Sequence, residues 1–426
     1  MKVLVIGSGG REHALIWKIA QSPKVRQIYA AAGNAGIASL AECVPIPVDE
    51  IKKLASFALS KSIDLTVVGP ELPLTLGIVD EFKRYGLKIC GPDRGAAQIE
   101  GSKLFAKDLM QKYHVPTASY VAFDSPSEAV AHLRKRGVPA VIKADGLASG
   151  KGVLPVNSLE EAEKAIDTIL TRKAFGAAGS RIVIEDFLRG EEASFIAFTD
   201  GKTILPMPST QDHKAIFDGD KGPNTGGMGA YSPAPVITGK LTRRIMDEVM
   251  TPVIRGMADE GTPFKGILYA GLMIDGDDIR VLEFNARSGD PETQPILLRM
   301  KSDIVPVLEA VTDGNLDRAA ITWDERPAVC IVMASEGYPG NYRKGMAIEG
   351  LKEVQSLPDV QVFHAGTASE DGRVVVNGGR VLGVTALGST IEDAIEHAYD
   401  AASRIHWDGA YYRKDIGRKA LNRGER

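Results

Sequence analysis

The chain has 426 residues, of which 44% are hydrophobic, and this is enough for several domains with buried cores. Its formal net charge of −4 gives no electrostatic basis for binding nucleic acid or an acidic membrane. Cys43, Cys90 and Cys330 lie far apart, which argues against a disulfide framework or a zinc site. No segment has the pattern of a signal peptide or a membrane span, so the sequence predicts a cytoplasmic protein.

The first part of the chain alternates short apolar runs with helical patterns, which predicts a doubly wound parallel sheet. Such sheets bind ligands at the carboxyl ends of their strands, where this sequence has glycine-containing turns at residues 7–10, 33–36 and 69–71. Glu12 stands where a dinucleotide fingerprint has its third glycine, so the pattern favours a phosphate at the next helix N-terminus over NAD. The predicted strands are residues 3–6, 27–31, 65–68 and 87–90.

The next segment predicts a compact α+β unit inserted as a lid. Ser125 and Ser158 each occupy the capping position of a predicted helix. Between these helices, a loop with several glycines runs from Lys143 to Gly152. Its glycines and lysines suit phosphate binding, although an ordinary hairpin is the alternative, and its spacing is not that of a Walker A loop.

A strand near residue 283 is the strongest local signal. Side chains alternate across a strand, so Glu283, Asn285 and Arg287 are expected on one face and Leu282 in the core with the other intervening apolar residues. Carboxylate and amide oxygens suit Mg²⁺, and an arginine beside them suits a transferring phosphoryl group. A half-exposed strand edge is the alternative, but the acidic, proline-containing loop after this strand favours a ligand site.

Two weaker patterns lie on either side of residue 200. The strand running into Glu185 and Phe187 could present backbone groups to an adenine, and an interdomain connection explains it equally well. The charged segment from Asp212 to Lys214, with the glycine-rich loop that follows, could hold a substrate or be a solvated loop.

Together these segments resemble the glycinamide ribonucleotide synthetase family of the ATP-grasp superfamily. The likeness covers nearly the whole chain, and it is carried by residues 7–14, 68–71, 143–152, 211–214, 224–229 and 290–294. It implies an α/β ATP-grasp fold with a parallel-sheet domain, a lid, a central mixed-sheet domain and a small α+β domain. The expected limits of these domains are 1–120, 121–190, 191–325 and 326–426.

The resemblance also implies an activity. Glycine would be ligated to 5-phosphoribosylamine through glycyl phosphate, giving glycinamide ribonucleotide, ADP and phosphate in purine biosynthesis. ATP and Mg²⁺ (or Mn²⁺) would be the cofactors, and the protein would be a monomer or weak homodimer with no nucleic-acid or membrane partner. The alternatives are an ATP-grasp ligase with other substrates, a nucleotide-binding regulatory module and, more distantly, an NAD oxidoreductase.

The roles implied by the resemblance fall on specific positions. The ATP-binding residues are Lys107, Lys143, Gly150, Lys151, Gly152, Glu185, Phe187, Leu188 and Glu192. The metal ligands are Glu283 and Asn285, and the catalytic residues are Arg287, Asp212 and Lys214. The substrate-binding residues are Gly9, Gly10, Asn34, Glu71, Asn224, Asp290, Pro291, Glu292 and Thr293.

Overall fold

A computed structural model of the chain describes residues 1–148 and 151–421. Its larger sheets are an N-terminal sheet of five strands, a lid sheet of four, a central sheet of four and a C-terminal sheet of six. No helix among the described residues has the length and apolar composition needed to cross a membrane. The α/β ATP-grasp architecture expected from the sequence is confirmed, whereas the domain limits stay predictions.

The N-terminal sheet is parallel throughout, as predicted. The first strand lies at the centre of the sheet, so the order in which strands are added reverses there and leaves a crevice at its carboxyl end. The turns at Gly7 and Gly69 flank this crevice. In spatial order its strands are Glu42–Val44, Gln27–Ala32, Lys2–Gly7, Leu65–Val68 and Ile89–Cys90. Its helices are Gly10–Ile19, Ile51–Lys61, Glu71–Leu76, Ile78–Arg84 and Gln98–Gly101, with a 3₁₀ turn at Ile37–Ser39.

The helix Lys103–Lys112 leads from this sheet to the lid, and the lid has an apolar core of its own. Both predicted caps are present, because the hydroxyls of Ser125 and Ser158 accept backbone N–H groups three residues later. The antiparallel lid strands are, in spatial order, Tyr120–Phe123, Ile182–Asp186, Ala140–Ala144 and Val153–Val156. The lid helices are Pro126–Arg136 and Leu159–Ile166, followed by turns at Asp167–Thr171 and Gly176–Ser180.

The central sheet has antiparallel ladders and an irregularity beside the predicted metal strand. Gly271 pairs with Glu283 and Leu272 pairs with Val281, which leaves Leu282 unpaired in a bulge. The expectation that Leu282 faces the core is therefore wrong: the bulge resets the alternation, and Leu282 is half-buried at the cavity described below. The strands are Ile204–Pro206, Glu191–Asp200, Lys265–Asp275 and Asp278–Asn285.

Helices cover the central sheet and connect it to the rest of the chain. They are Gly239–Ile245, Met246–Met250, Thr251–Asp259, Thr293–Arg299 and Val305–Asp313, with a 3₁₀ turn at Leu316–Arg318. A separate hairpin pairs Ala215–Phe217 with Lys221–Asn224.

The C-terminal sheet includes two strands from earlier in the chain, Gln211–Asp212 and Gly229–Ser232. The charged segment from Asp212 to Lys214 and the glycine-rich loop after it, which the sequence singled out, are thus attached to this sheet. The C-terminal sheet therefore reaches the cavity described below. Its other strands are Ala328–Ser335, Arg380–Leu387, Val360–His364 and Ala410–Tyr411, beside a hairpin of Thr367–Glu370 and Arg373–Val376. The helices here are Leu351–Val354, Ile391–Ser403 and Arg418–Leu421.

Candidate active site

A cavity of about 530 Å³ lies where the N-terminal sheet, the lid, the central sheet and the C-terminal sheet meet. Each of the four contributes a charged side chain to the cavity wall. These are Glu71 from the N-terminal part, Lys143 from the lid, Glu283 from the central sheet and Arg380 from the C-terminal sheet. The cavity is therefore a property of the assembled chain and belongs to no single sheet.

Two lysines and one glutamate form a buried cluster at the lid side of the cavity. Nζ of Lys107 lies 2.8 Å from one carboxylate oxygen of Glu185, and Nζ of Lys143 lies 2.9 Å from the other. Burial lowers the pKa of Lys107 to about 8, although the charge of Glu185 opposes this shift. Lys143 also donates to the carbonyl of Leu282 at 2.9 Å, so the bulge in the central sheet holds a lid lysine.

The side chains of Glu283 and Asn285 line the same cavity, from the central-sheet strand whose Leu282 carbonyl accepts Lys143. Burial would raise the pKa of Glu283, but nearby cations, led by Lys214 and Lys143, outweigh it and lower the pKa to about 2. The carboxylate is thus ionised at neutral pH, and with the amide oxygen of Asn285 it offers the oxygen ligands that Mg²⁺ prefers. Among the described residues, no group of three or more His, Cys, Asp or Glu side chains could hold a metal ion. A metal held here would complete its shell with substrate oxygens.

Arg287 is held by two carboxylates from the N-terminal part of the chain. Its guanidinium lies 3.0 Å from Glu71 and 3.1 Å from Glu100, and Glu100 also accepts the backbone N–H of Ala286 at 2.7 Å. Burial opposes the charge on Arg287, but the two carboxylates outweigh it and raise its pKa. Arg287 is therefore a fixed cation facing the cavity next to the metal-ligand candidates.

Carboxylates gather near the C-terminal sheet. Burial and the neighbouring charge of Glu292 raise the pKa of Asp212 well above its usual range. Lys214 forms an ion pair with Glu192 and lies 3.9 Å from Glu283. A cationic group placed beside Asp212 and Glu292 would relieve their mutual repulsion, so this corner suits an ammonium group.

The predicted substrate turns at Gly9 and Asn34 do not line the cavity, whereas the turn at Glu71 does. The N–H of Gly9 donates to the carboxylate of Glu12 at 2.6 Å, so this group is not available to the phosphate expected at the helix N-terminus. The amide of Asn34 is also engaged: it donates to the carbonyls of Ser8 and His364 and accepts two backbone N–H groups of its own turn. Asn34 thus shapes the turn.

The predicted site residues divide into two groups. Those that line the cavity are Lys107, Lys143, Gly152, Glu185, Phe187, Leu188, Glu192, Glu283, Asn285, Arg287, Asp212, Lys214, Glu71, Asn224, Asp290 and Glu292. Among the described residues, those that do not line it are Lys151, Gly9, Gly10, Asn34, Pro291 and Thr293. Gly150 lies outside the described residues. Lys151 donates to the carbonyl of Pro339, on the C-terminal side, and the predicted roles of all these residues stay predictions.

Sequence reasoning missed several charged residues of the cavity wall. Lys103 donates to the carbonyl of Gly146 at 3.0 Å and so holds the root of the lid loop. Arg11 stands inside the first glycine motif, so its position there could have singled it out. Glu100, in the short helix Gln98–Gly101, and Lys103, at the start of the next helix, belong to no motif. Arg380 begins a strand far along the chain, and no local pattern marks it.

Comparison with known proteins agrees with this geometry. Models of the phosphoribosylglycinamide synthetase N domain, ATP-grasp (A) domain and C domain match residues 1–100, 101–293 and 328–419. Relatives named phosphoribosylamine–glycine ligase, from Pseudomonas aeruginosa and Escherichia coli, are 54% and 55% identical, over 99% of both chains in each case.

Solved structures show the same fold. The crystal structure of a phosphoribosylamine–glycine ligase from Thermotoga maritima superposes with a TM-score of 0.86 at 33% identity, covering 98% of this chain and 100% of that one. A biotin carboxylase domain from Hydrogenobacter thermophilus, solved in complex with MgADP, gives 0.74 at 16% identity, covering 96% and 91%. The second likeness concerns the fold alone.

Replacement of Glu100 by Gln should change how stability varies with pH. Burial raises the pKa of Glu100 to about 7 from its usual 4.5, and the charge of Arg287 opposes the shift. The folded state binds the Glu100 proton more tightly than the unfolded state does, so this proton stabilises the fold. The stabilisation is complete below the pKa of the unfolded state and is lost as pH rises through the pKa of the folded state. The melting temperature of the wild type should therefore fall, relative to Glu100→Gln, from about pH 5 to about pH 7.5. A difference that stays constant over this range would contradict the raised pKa.

Proposed function

We propose the following function for the chain, which belongs to the phosphoribosylglycinamide synthetase family. The cavity ligates glycine to 5-phosphoribosylamine, the reaction that the names of the relatives indicate for those proteins, and it converts ATP to ADP and phosphate. The observation that carries this proposal is the charge arrangement of one cavity, with buried lysines at the lid side and carboxylates near the C-terminal sheet.

ATP would lie along the lid side. Lys107 and Lys143 would contact its phosphates, because their shared partner Glu185 neutralises only one of the two ammonium charges. Phe187 and Leu188 would pack against the adenine where the lid strand ends, and Glu192 would bind the ribose. Gly150, Lys151 and Gly152 would cover the phosphates as the lid closes.

Glu283 and Asn285 would hold Mg²⁺ or Mn²⁺. Such an ion would neutralise phosphate charge and orient the transferring group when ATP is bound. The proposal fits the chain because both side chains line the cavity, provide oxygen ligands and include a carboxylate with a pKa lowered to about 2.

Glycine would enter between this wall and the carboxylate corner. Asp212 and Glu292 would hold its ammonium group, which leaves its carboxylate directed at the γ-phosphate. A carboxylate oxygen then forms a bond to the γ-phosphorus as the bond to the ADP oxygen breaks. Lys214 and Arg287 would stabilise the negative charge on the transferring group.

The second step joins the amine to the activated glycine. The nitrogen of 5-phosphoribosylamine attacks the carbonyl carbon of glycyl phosphate, phosphate leaves and the nitrogen loses a proton. The crevice at Gly9, Gly10, Asn34 and Glu71 would receive the ribose phosphate through groups other than the Gly9 N–H, which Glu12 already holds. Asn224 and Asp290 would face the amine, and Pro291 and Thr293 would fix the Asp290 loop, where the Thr293 hydroxyl donates to the Gly289 carbonyl at 2.5 Å.

An assay of ADP release tests this function. Mg²⁺-ATP is combined with glycine, with freshly generated 5-phosphoribosylamine, and with both together. The proposal predicts ADP release only when both are present, because glycyl phosphate stays enclosed until the amine attacks. Full release with another amine or acid in place of either substrate would contradict it and favour a different ATP-grasp ligase.

Replacement of Glu283 by Gln should reduce kcat by about 100-fold or more while the chain stays folded. The amide keeps the size of the side chain and removes the charge needed at the metal site. The exposed Glu396 offers a matched control, because Glu396→Gln makes the same chemical change on a surface helix. Activity of Glu283→Gln close to that of the control would refute the metal assignment.

A further inference from the structure

Arg380 is the first residue of the C-terminal strand Arg380–Leu387, and it reaches the cavity. Its guanidinium donates to the backbone carbonyls of Gly226 at 2.6 Å and Asp290 at 2.7 Å. It also pairs with the Asp290 carboxylate at 3.0 Å. One side chain of the C-terminal domain therefore holds two loops of the site at the same time.

The carboxylate of Asp290 is held by one side chain at each of its oxygens. One of its oxygens accepts the side-chain amide of Gln294 at 2.8 Å, and the other faces Arg380. It also lies against the first turn of the N-terminal domain, because a Cβ placed on Gly9 or Gly10 would be 3.6 Å from an Asp290 oxygen. Asp290 thus stands where the turn for the ribose phosphate, the metal wall and the C-terminal sheet meet.

The Gly226 loop packs closely on the same guanidinium. A Cβ placed on Gly226 would lie 2.9 Å from Cζ of Arg380, closer than a side chain can approach without displacing its neighbour. The N–H of Gly226 donates to the hydroxyl of Tyr338 at 3.1 Å, which is a second attachment to the C-terminal domain. This loop follows Asn224, so Arg380 also fixes the segment that carries that residue.

A simple stabilising ion pair would need only the carboxylate. Here the fork of the guanidinium is divided between one carboxylate and the backbone of two loops, a geometry that a lysine cannot reproduce because its ammonium is a single point charge. The loops it joins carry Asn224 and Asp290, the two residues proposed to face the amine.

We infer that Arg380 is a positioning residue for the amine substrate, acting through Asp290 and the Gly226 loop. The inference rests on the proposed function, because it assigns a task within the second step. ATP would bind at the lid side of the cavity, away from Arg380, so a loss of Arg380 should fall on 5-phosphoribosylamine and leave ATP binding intact.

The test compares Arg380→Ala and Arg380→Lys with the wild type, measuring kcat and KM for each of the three substrates. Arg380→Ala should lower kcat/KM for 5-phosphoribosylamine by about 100-fold, since a misplaced reacting group costs this much, and leave KM for ATP unchanged. Arg380→Lys should lower kcat/KM for 5-phosphoribosylamine by about 10-fold, because the positive charge remains but the several directed hydrogen bonds of the guanidinium are lost. Arg373→Ala, at an exposed hairpin of the same domain, should match the wild type.

A double variant tests whether Arg380 acts through Asp290. If it does, Arg380→Ala combined with Asp290→Asn should lose no more activity than the worse single variant. The inference is overturned if the activity losses of the two single variants multiply in the double variant. It is also overturned if Arg380→Ala weakens the use of all three substrates equally, or if Arg380→Ala keeps full activity. A wild type that releases no ADP with both substrates would instead refute the proposed function, so the two failures are distinguishable.

Discussion

Lys107 and Lys143 reach the carboxylate of Glu185 from different parts of the chain, at 2.8 and 2.9 Å, and all three side chains are almost fully buried. Taking two ammonium groups out of water is costly, and one carboxylate balances only one of them. The lowered pKa of Lys107, about 8, reflects this cost. The cavity is thus prepared for the negative charge of a polyphosphate before any ligand arrives.

The same cluster joins the parts of the fold. Lys107 donates to the hydroxyl of Thr117, which in turn donates to the carbonyl of Val281 at 2.6 Å. Lys143 donates to the carbonyl of Leu282, the bulged residue of that strand. Lys107 and Lys143 are therefore tied to the strand that carries Glu283, so the cations proposed to bind phosphates lie close to the oxygens proposed to bind the metal.

Four of the five N-terminal strands and the two capped lid helices could be predicted from the sequence, because short apolar runs and caps such as Ser125 are local signals. The strand Glu42–Val44 was missed. The bulge at Leu282 could not be predicted, since it depends on how two strands pair. Nor could the pairing of Gln211–Asp212 and Gly229–Ser232 with the C-terminal sheet, which joins segments far apart in the chain. Motifs identified most of the cavity wall, whereas Glu100 and Arg380 stand outside any motif and become visible only through their partners, Arg287 and Asp290.

The central claim is that the buried lysines serve the phosphates of ATP. The most direct measurement is the dissociation constant of a non-hydrolysable ATP analogue, by calorimetry, for Lys107→Met. Lys112→Met is the control, because Lys112 lies on the same helix with an exposed side chain. The account predicts binding at least about 10-fold weaker for Lys107→Met, as expected for loss of one charge-assisted contact, and unchanged binding for the control. Equal affinity of Lys107→Met and wild type would contradict it.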